Sequence, residues 1–150
     1  MELPPEVRTA AEKIQASYQE SPVWSPALKG ASMQAPSASV EPLRKEDLHY
    51  FLFEFTKAAL VTARFAIAQD GVLLEAEGVK QDKAALRPFI DRRAVDWWAA
   101  GRSVRQVWTP CDQTTTRLRP LWEITAHDVT RYIRVDGVLF DRLTTVSGRG

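Results

Sequence analysis

The stretch that decides the fold reads LWEIT (Leu121–Thr125) and, after a short gap, TRYIRVDGVLFD (Thr130–Asp141). Apolar and polar residues alternate along both runs, which is the period of a half-buried strand. A polar turn at His127-Asp128 joins the first run to the second. Asp136-Gly137 between two strand-like runs is a strong hairpin signal. The stretch therefore predicts a three-stranded antiparallel meander.

The same order of residues occurs once before, between Phe53 and Glu75. The matched anchors are Glu54 with Glu123, Arg64 with Arg131, and Asp70-Gly71 with Asp136-Gly137. The spacing between the anchors drifts by a few residues, so small gaps are needed. This order predicts an internal duplication; the alternative is that any two meanders with Asp-Gly hairpins look alike. The two matched glutamates are expected to face solvent.

Helical spacing predicts a helix ahead of each meander. In residues 4–19 the apolar side chains fall on one face, and in residues 82–101 they mark one broad face. Pro88 removes a backbone hydrogen bond inside a helix, so the second helix starts either at Pro88 or from about Asp91. The strands of the first meander are predicted at 49–56, 60–69 and 72–78.

Two segments have the composition of connectors. Residues 21–43 contain four prolines among Ser, Ala and Gly, and we expect them to be flexible. Residues 102–119 are rich in Arg and Thr, although Val104, Val107 and Trp108 are compatible with a short strand or a helical turn. Residues 144–150 are expected to form a frayed tail.

These elements predict an α+β fold in a single domain spanning 1–150. Its antiparallel sheet would be built from two α-β-β-β units, about 1–78 and 79–143, with the helices packed on the sheet and the Pro/Ser-rich connector between elements. The two units would share one sheet or pack as two sheets.

The C-terminal hairpin, RYIRVDGVL (Arg131–Leu139), resembles the PepSY-type modules of protease propeptides, as does the segment Arg64–Leu74 more loosely. In that family a helix precedes strands, and the last hairpin carries an aromatic residue, then Val-Asp and Gly before an apolar residue. The resemblance implies an inhibitory or protein-binding role. No functional residue is carried over from it.

Composition narrows the function classes. A net charge of +1, with 45% hydrophobic and 26% charged residues, is ordinary for a soluble globular protein and gives no overall field toward nucleic acid or membrane. The charge is uneven, since residues 1–78 carry 7 Lys or Arg against 11 Asp or Glu, and residues 79–150 carry 13 against 8. The single cysteine and the absence of a recognisable signal or membrane-spanning run predict a cytoplasmic protein.

No motif of this sequence specifies catalysis. The two histidines, His49 and His127, lack the clustered ligands of a metal site. Cys111 follows a proline in a connector, where it is a nucleophile only if the fold brings a base beside it. No glycine-rich phosphate loop occurs. We therefore expect no catalytic residue, no metal and no cofactor.

The most distinctive segment is rich in arginine and tryptophan, between residues 87 and 119. Arginine binds carboxylates through two parallel hydrogen bonds and stacks on aromatic rings. The candidate partner-binding residues are Arg92, Arg93, Trp98, Arg102, Arg105 and Trp108. Adjacent Trp97 and Trp98 point about 100° apart on a helix, so at least one of them is expected in the core.

These residues predict a non-enzymatic protein-interaction or assembly module whose partner has an acidic surface. The first alternative is a small-molecule-binding or enzymatic domain with a pocket between sheet and helices. The second alternative, single-stranded nucleic-acid binding, uses the same interleaved arginines and aromatics but is less favoured.

Overall fold

The computed structural model describes residues 3–36, 38–90, 92–100 and 102–144. Those residues form an α+β fold rich in sheet. The helices are α1 (Pro5–Tyr18), α2 (Ser25–Leu28) and α3 (Arg92–Ala99). The strands are β1 (Ser32–Met33), β2 (Ala38–Pro42), β3 (Tyr50–Lys57), β4 (Leu60–Ala68), β5 (Leu73–Gly78), β6 (Ser103–Trp108), β7 (Leu121–Ala126), β8 (Val129–Arg134) and β9 (Leu139–Phe140).

The chain divides into two compact units. The first comprises residues 1–39 and 48–87, and the second comprises residues 40–47 and 88–150. These units divide at 87/88, and the repeat boundary at 78/79 stays a prediction. The segment 40–47, however, belongs to the second unit although it comes early in the chain.

In the first unit the strands lie in the order β5-β4-β3-β1, and each neighbouring pair is antiparallel. The inner face carries phenylalanines at alternate positions of β3, because successive strand side chains point to opposite faces. These rings pack with Phe65 of β4 against Val7 and Ala11 of α1 and against Leu28 of α2. Each fully buried side chain of this kind contributes roughly 1.5–3 kcal/mol to folding.

The opposite face of the first unit buries one charge. The side chain of Arg64 in β4 is 0% exposed, and its guanidinium lies 2.9 Å from a carboxylate oxygen of Glu54 and 3.4 Å from one of Glu77. It also donates a 2.7 Å hydrogen bond to the Arg87 carbonyl oxygen. Glu54 is therefore half-buried and paired, not solvent-facing as predicted.

In the second unit β6, β7, β8 and β9 follow one another as antiparallel neighbours. The end of β2 pairs with β6 in parallel, through Glu41 opposite Val107. Helix α3 covers one face, where Val95 and Ala99 pack against Trp122, Ile124 and Ile133. The parallel pair corrects the predicted antiparallel sheet to a mixed one.

The two Asp-Gly hairpin turns have the same hydrogen-bond pattern. The Ala68 amide donates to the Val72 carbonyl and the Gly71 amide to the Ala68 carbonyl; Arg134, Val138 and Gly137 repeat these two bonds. Both glycines have positive φ, +90° and +98°, where a side chain would be strained. The predicted Asp-Gly hairpins are therefore confirmed.

The match of Arg64 with Arg131 is wrong in register. Glu54 lies directly opposite Arg64, whereas Glu123 lies opposite Tyr132. Arg131 is one residue away and therefore points to the other face of its sheet. The meanders share their turns and their strand order but not this arginine.

Regular structure appears in the predicted connector 21–43, which contains α2, β1 and β2. Ala27 and Leu28 are fully buried there, and Trp24 packs edge-on against Phe65. These apolar anchors offset a composition that predicts a mobile segment. In the second connector, residues 102–119, the predicted alternative of a short strand is the one observed, because β6 lies there.

The second helix is much shorter than the predicted span 82–101. It begins at Arg92, after Pro88, which agrees with the later of the two predicted starts. Of the predicted frayed tail, residues 145–150 lie outside the described part of the chain. The amide of Thr144 donates a 2.8 Å hydrogen bond to the side-chain oxygen of Gln113.

The turn of the hairpin between β3 and β4 can be tested by substitution. Lys57 pairs with Leu60, which leaves Ala58 and Ala59 as a two-residue loop with φ of 49° and 68°. In this left-handed region an alanine costs about 1–2 kcal/mol of backbone strain. A glycine avoids that strain but costs about 0.5–1 kcal/mol of chain entropy on folding. We expect Ala59→Gly to stabilise the protein by roughly 0.5–1 kcal/mol in urea unfolding. Ala16→Gly, on the exposed side of α1, should destabilise it by about 1 kcal/mol. An unfolding midpoint of A59G at or below that of the parent protein contradicts the assignment.

Candidate functional site

The outward side of α3 carries the most exposed aromatic ring of the candidate segment. Val95 and Ala99 occupy the buried side of the helix. Arg93 and Trp97 are one helical turn apart on the other side, and the Trp97 side chain is 84% exposed. Among the described residues no carboxylate forms an ion pair with Arg93.

Arg92 is already engaged within its own helix. Its guanidinium lies 2.8 Å from a carboxylate oxygen of Asp96, in an i,i+4 ion pair. The same group lies 5.4 Å from the centre of the buried Trp122 ring, within the range of a cation–π contact. Arg92 is thus less available to a partner than Arg93.

Trp98 is half-buried and packs at the margin of the core beneath α3. It lies between two recesses of the second unit. One is apolar and is lined by Ile90, Val95, Ile133 and Leu139. The other, of about 250 Å³, brings Arg102 together with Arg131 and His127 at the turn between β7 and β8.

Arg105 lies on the other face of the sheet from α3. Its β6 neighbour Val104 packs beneath the helix, and successive residues of a strand face opposite sides. The guanidinium of Arg105 donates hydrogen bonds of 2.6 Å to Glu123 and 2.9 Å to Glu41. Arg105 is therefore separated from the other candidate arginines and ties β2, β6 and β7 together.

The electrostatics around Arg105 follow from these bonds. The hydrogen bond that Arg105 donates to Glu123, opposed by partial burial, raises the pKa of the Arg105 guanidinium. Burial and then the negative charge of Glu123 raise the pKa of the Tyr132 phenol in the next strand. Glu123, predicted to face solvent, is only 12% exposed and is held between these two groups.

Trp108 is 3% exposed and offers no surface to a partner. The guanidinium of Arg117 covers its ring at 4.6 Å. Its Nε1 is buried without an acceptor among the described residues. Both side chains belong to the framework of the unit, and a role of Arg105 or Trp108 in partner binding stays a prediction.

Cys111 is 1% exposed, so the connector does not present it to solvent. Its thiol donates to the Thr114 carbonyl oxygen at 3.9 Å, inside a small turn that also pairs the two backbones. Within the described ranges, no three His, Cys, Asp or Glu side chains are grouped closely enough to hold a metal ion. None of the helices in those ranges has the length and apolar character needed to cross a membrane.

The candidate Trp98 is the less exposed of the two adjacent tryptophans. Trp97 completes the Arg93 face, and its position two residues after the buried Val95 is the signal that places it outward. Arg131 and His127 were missed as neighbours of Arg102, because their proximity depends on the pairing of β7 with β8 and on where α3 lies.

No family model, no curated protein and no solved structure matches this chain. The resemblance of its C-terminal hairpin to PepSY-type modules therefore gains no support from a family match.

Arg105→Met tests the assignment of Arg105 to the framework. The change removes the arginine that donates to Glu123, so we expect the free energy of unfolding to fall. The expected loss is only about 1 kcal/mol, because water already screens the half-exposed arginine. Thermal and urea unfolding provide the measurement. Arg93→Met is the matched control and should leave stability within about 0.5 kcal/mol. Equal stabilities of the two variants contradict the assignment.

Proposed function

We propose that this protein is a non-enzymatic interaction module that binds an acidic protein partner on the outward side of α3. The observation that carries the proposal is the 84% exposed Trp97 side chain, one helical turn from Arg93. We name the pair Arg93 and Trp97 the α3 anchor.

Tryptophan and arginine are the side chains most often found to dominate the binding energy of protein interfaces. A tryptophan buries about 150–250 Å² when it enters a pocket, which corresponds to about 4–6 kcal/mol at 25 cal/mol per Å². In the free protein the ring is exposed to water, so this burial energy is not gained. It is gained when the ring enters an apolar pocket of a partner.

The charge on this side favours an acidic partner. Arg92 and Asp96 neutralise one another, whereas neither Arg93 nor Arg102 has an ion pair with a described carboxylate. Complementary charge on the partner would speed encounter and fix its orientation. A carboxylate beside the apolar pocket would bind Arg93 while the indole of Trp97 enters the pocket.

The non-enzymatic part of the proposal rests on the sequence, which contains no motif for nucleophilic or acid–base catalysis. The pocket alternative is favoured by one observation, the recess that Arg102 and Arg131 line. Nucleic-acid binding and the cytoplasmic location stay predictions.

We further propose that the two units arose by duplication of one α-β-β-β unit. The shared hydrogen bonds of the two Asp-Gly turns support this proposal, as does the order of strands in the two meanders. A duplicated framework would leave the second copy free to acquire the α3 anchor.

Trp97→Ala and Arg93→Glu test the proposed surface. Affinity capture from the native host, read by quantitative mass spectrometry, should recover proteins with wild-type chain that each variant loses by about 30-fold, the effect of removing a dominant interface residue. Both side chains are exposed, so the melting temperature should stay within about 2 °C. Arg92 is avoided, because its reversal would place two acids at i,i+4 and weaken the helix.

Arg8→Glu is the matched control, since Arg8 is an exposed arginine on α1 in the first unit and the charge change is the same. It should retain the captured proteins. Recovery of the same proteins with Trp97→Ala and Arg93→Glu as with wild type contradicts the proposal. Salt-dependent oligonucleotide binding that these two variants abolish would favour the nucleic-acid alternative instead.

A further inference from the structure

In the second unit, part of the sheet face that packs against α3 extends beyond the helix. Eight residues of α3 span about 12 Å, whereas the six residues of β7 or β8 span about 20 Å. The uncovered part, toward the turn between β7 and β8, forms the recess of about 250 Å³. We call it the Arg102 recess.

The floor of the Arg102 recess is apolar and its edge is cationic. Ile124 and Val129 contribute aliphatic surface, and the Trp98 indole forms a wall. Arg102, Arg131 and the imidazole of His127 complete the lining. Two of the lining residues are arginines, and none of the lining side chains carries a carboxylate.

The positive charges of the recess are weakly compensated. No described carboxylate lies within ion-pair distance of Arg102. Arg131 lies 3.5 Å from a carboxylate oxygen of Asp141, which is 83% exposed. Such an exposed pair contributes between zero and about 1 kcal/mol.

A structural role accounts for one of the two arginines only. Arg102 follows the carboxyl end of α3, where a cation is favourable beside the helix dipole. Arg131 comes from the middle of β8, directly opposite the apolar Ile124 of β7. Apart from its exposed ion pair with Asp141, neither the helix nor the sheet requires a cation at that position, and an apolar residue there would extend the core.

We propose that the Arg102 recess binds an organic carboxylate attached to a compact apolar group. Guanidinium groups bind a carboxylate through charge-assisted hydrogen bonds, and the floor together with Trp98 would cover the apolar part of the ligand. A dianionic phosphate fits less well, because its larger desolvation cost beside an apolar floor is not offset there.

This site is separate from the α3 anchor. Arg93 and Trp97 do not line the recess, so substitutions at either site leave the other intact. The carboxylate could belong to a free small acid or to the carboxyl terminus of a peptide with an apolar last residue. Both present the same chemistry to Arg102 and Arg131, and the experiment distinguishes them.

The test uses the full chain labelled with ¹⁵N and follows the Trp98 indole N–H signal, assigned with Trp98→Phe. The probes are 3-phenylpropionate, its neutral amide, phenyl phosphate, and a short peptide ending in Phe as free acid or as amide. We expect saturable shifts with 3-phenylpropionate, at least tenfold weaker binding of its amide, and about tenfold weaker binding of the acid to Arg102→Gln and to Arg131→Gln.

Arg8→Gln, in the first unit, should bind as wild type does. Ala126→Phe fills the floor without removing a charge, so it should abolish the shifts even if an arginine variant is poorly folded. Tighter binding of the free-acid peptide than of 3-phenylpropionate identifies a chain terminus as the source, and the reverse order identifies a small acid.

Three results overturn the inference. Equal binding of acid and amide means that the recess is only an apolar cleft. Tighter binding of phenyl phosphate means that the anion is misassigned. Unchanged binding to both arginine variants, or lower stability of Arg102→Gln with no loss of affinity, means that the arginines have a structural role alone.

Discussion

The first unit depends on the compensation of one buried charge. The guanidinium of Arg64 is out of contact with water and is held between Glu54 on β3 and Glu77 on β5. An uncompensated charge at this depth would cost several kcal/mol. A slip of one residue between strands would move Arg64 to the phenylalanine face and separate it from both acids. The pairing therefore fixes the register of three strands at once.

The second unit uses a similar cross-strand pair with a different consequence. Arg105 and Glu123 join β6 to β7 on the face away from α3, where the arginine remains half exposed. The α3 face is left to apolar contacts from Trp122, Ile124 and Ile133. Helix α3 has only eight residues, about two turns, so it covers this face in part. The Arg102 recess is a result of that mismatch in length.

Local signals in the sequence were enough to predict the two meanders and α1, because strand alternation and Asp-Gly turns act between near neighbours. The parallel pairing of Glu41 with Val107 carries no such signal, since it joins distant parts of the chain. The side on which Arg105 lies follows from Val104 packing beneath α3, which is a tertiary contact. The burial of Trp108, a candidate for the surface, likewise depends on partners that the sequence around it does not specify.

The two adjacent tryptophans of α3 differ in their importance for the fold: Trp98 packs against the core, and Trp97 does not. An isolated helix of eight residues is unstable in water, so α3 exists only through its packed side, which Val95, Ala99 and Trp98 provide. Trp97 makes no contribution to that packing, and a polar residue at its position would serve the helix equally well. The fold does not account for an indole held in water, and this supports the proposed binding role of Trp97. Trp98 differs in this respect, because its indole packs against the core of the unit.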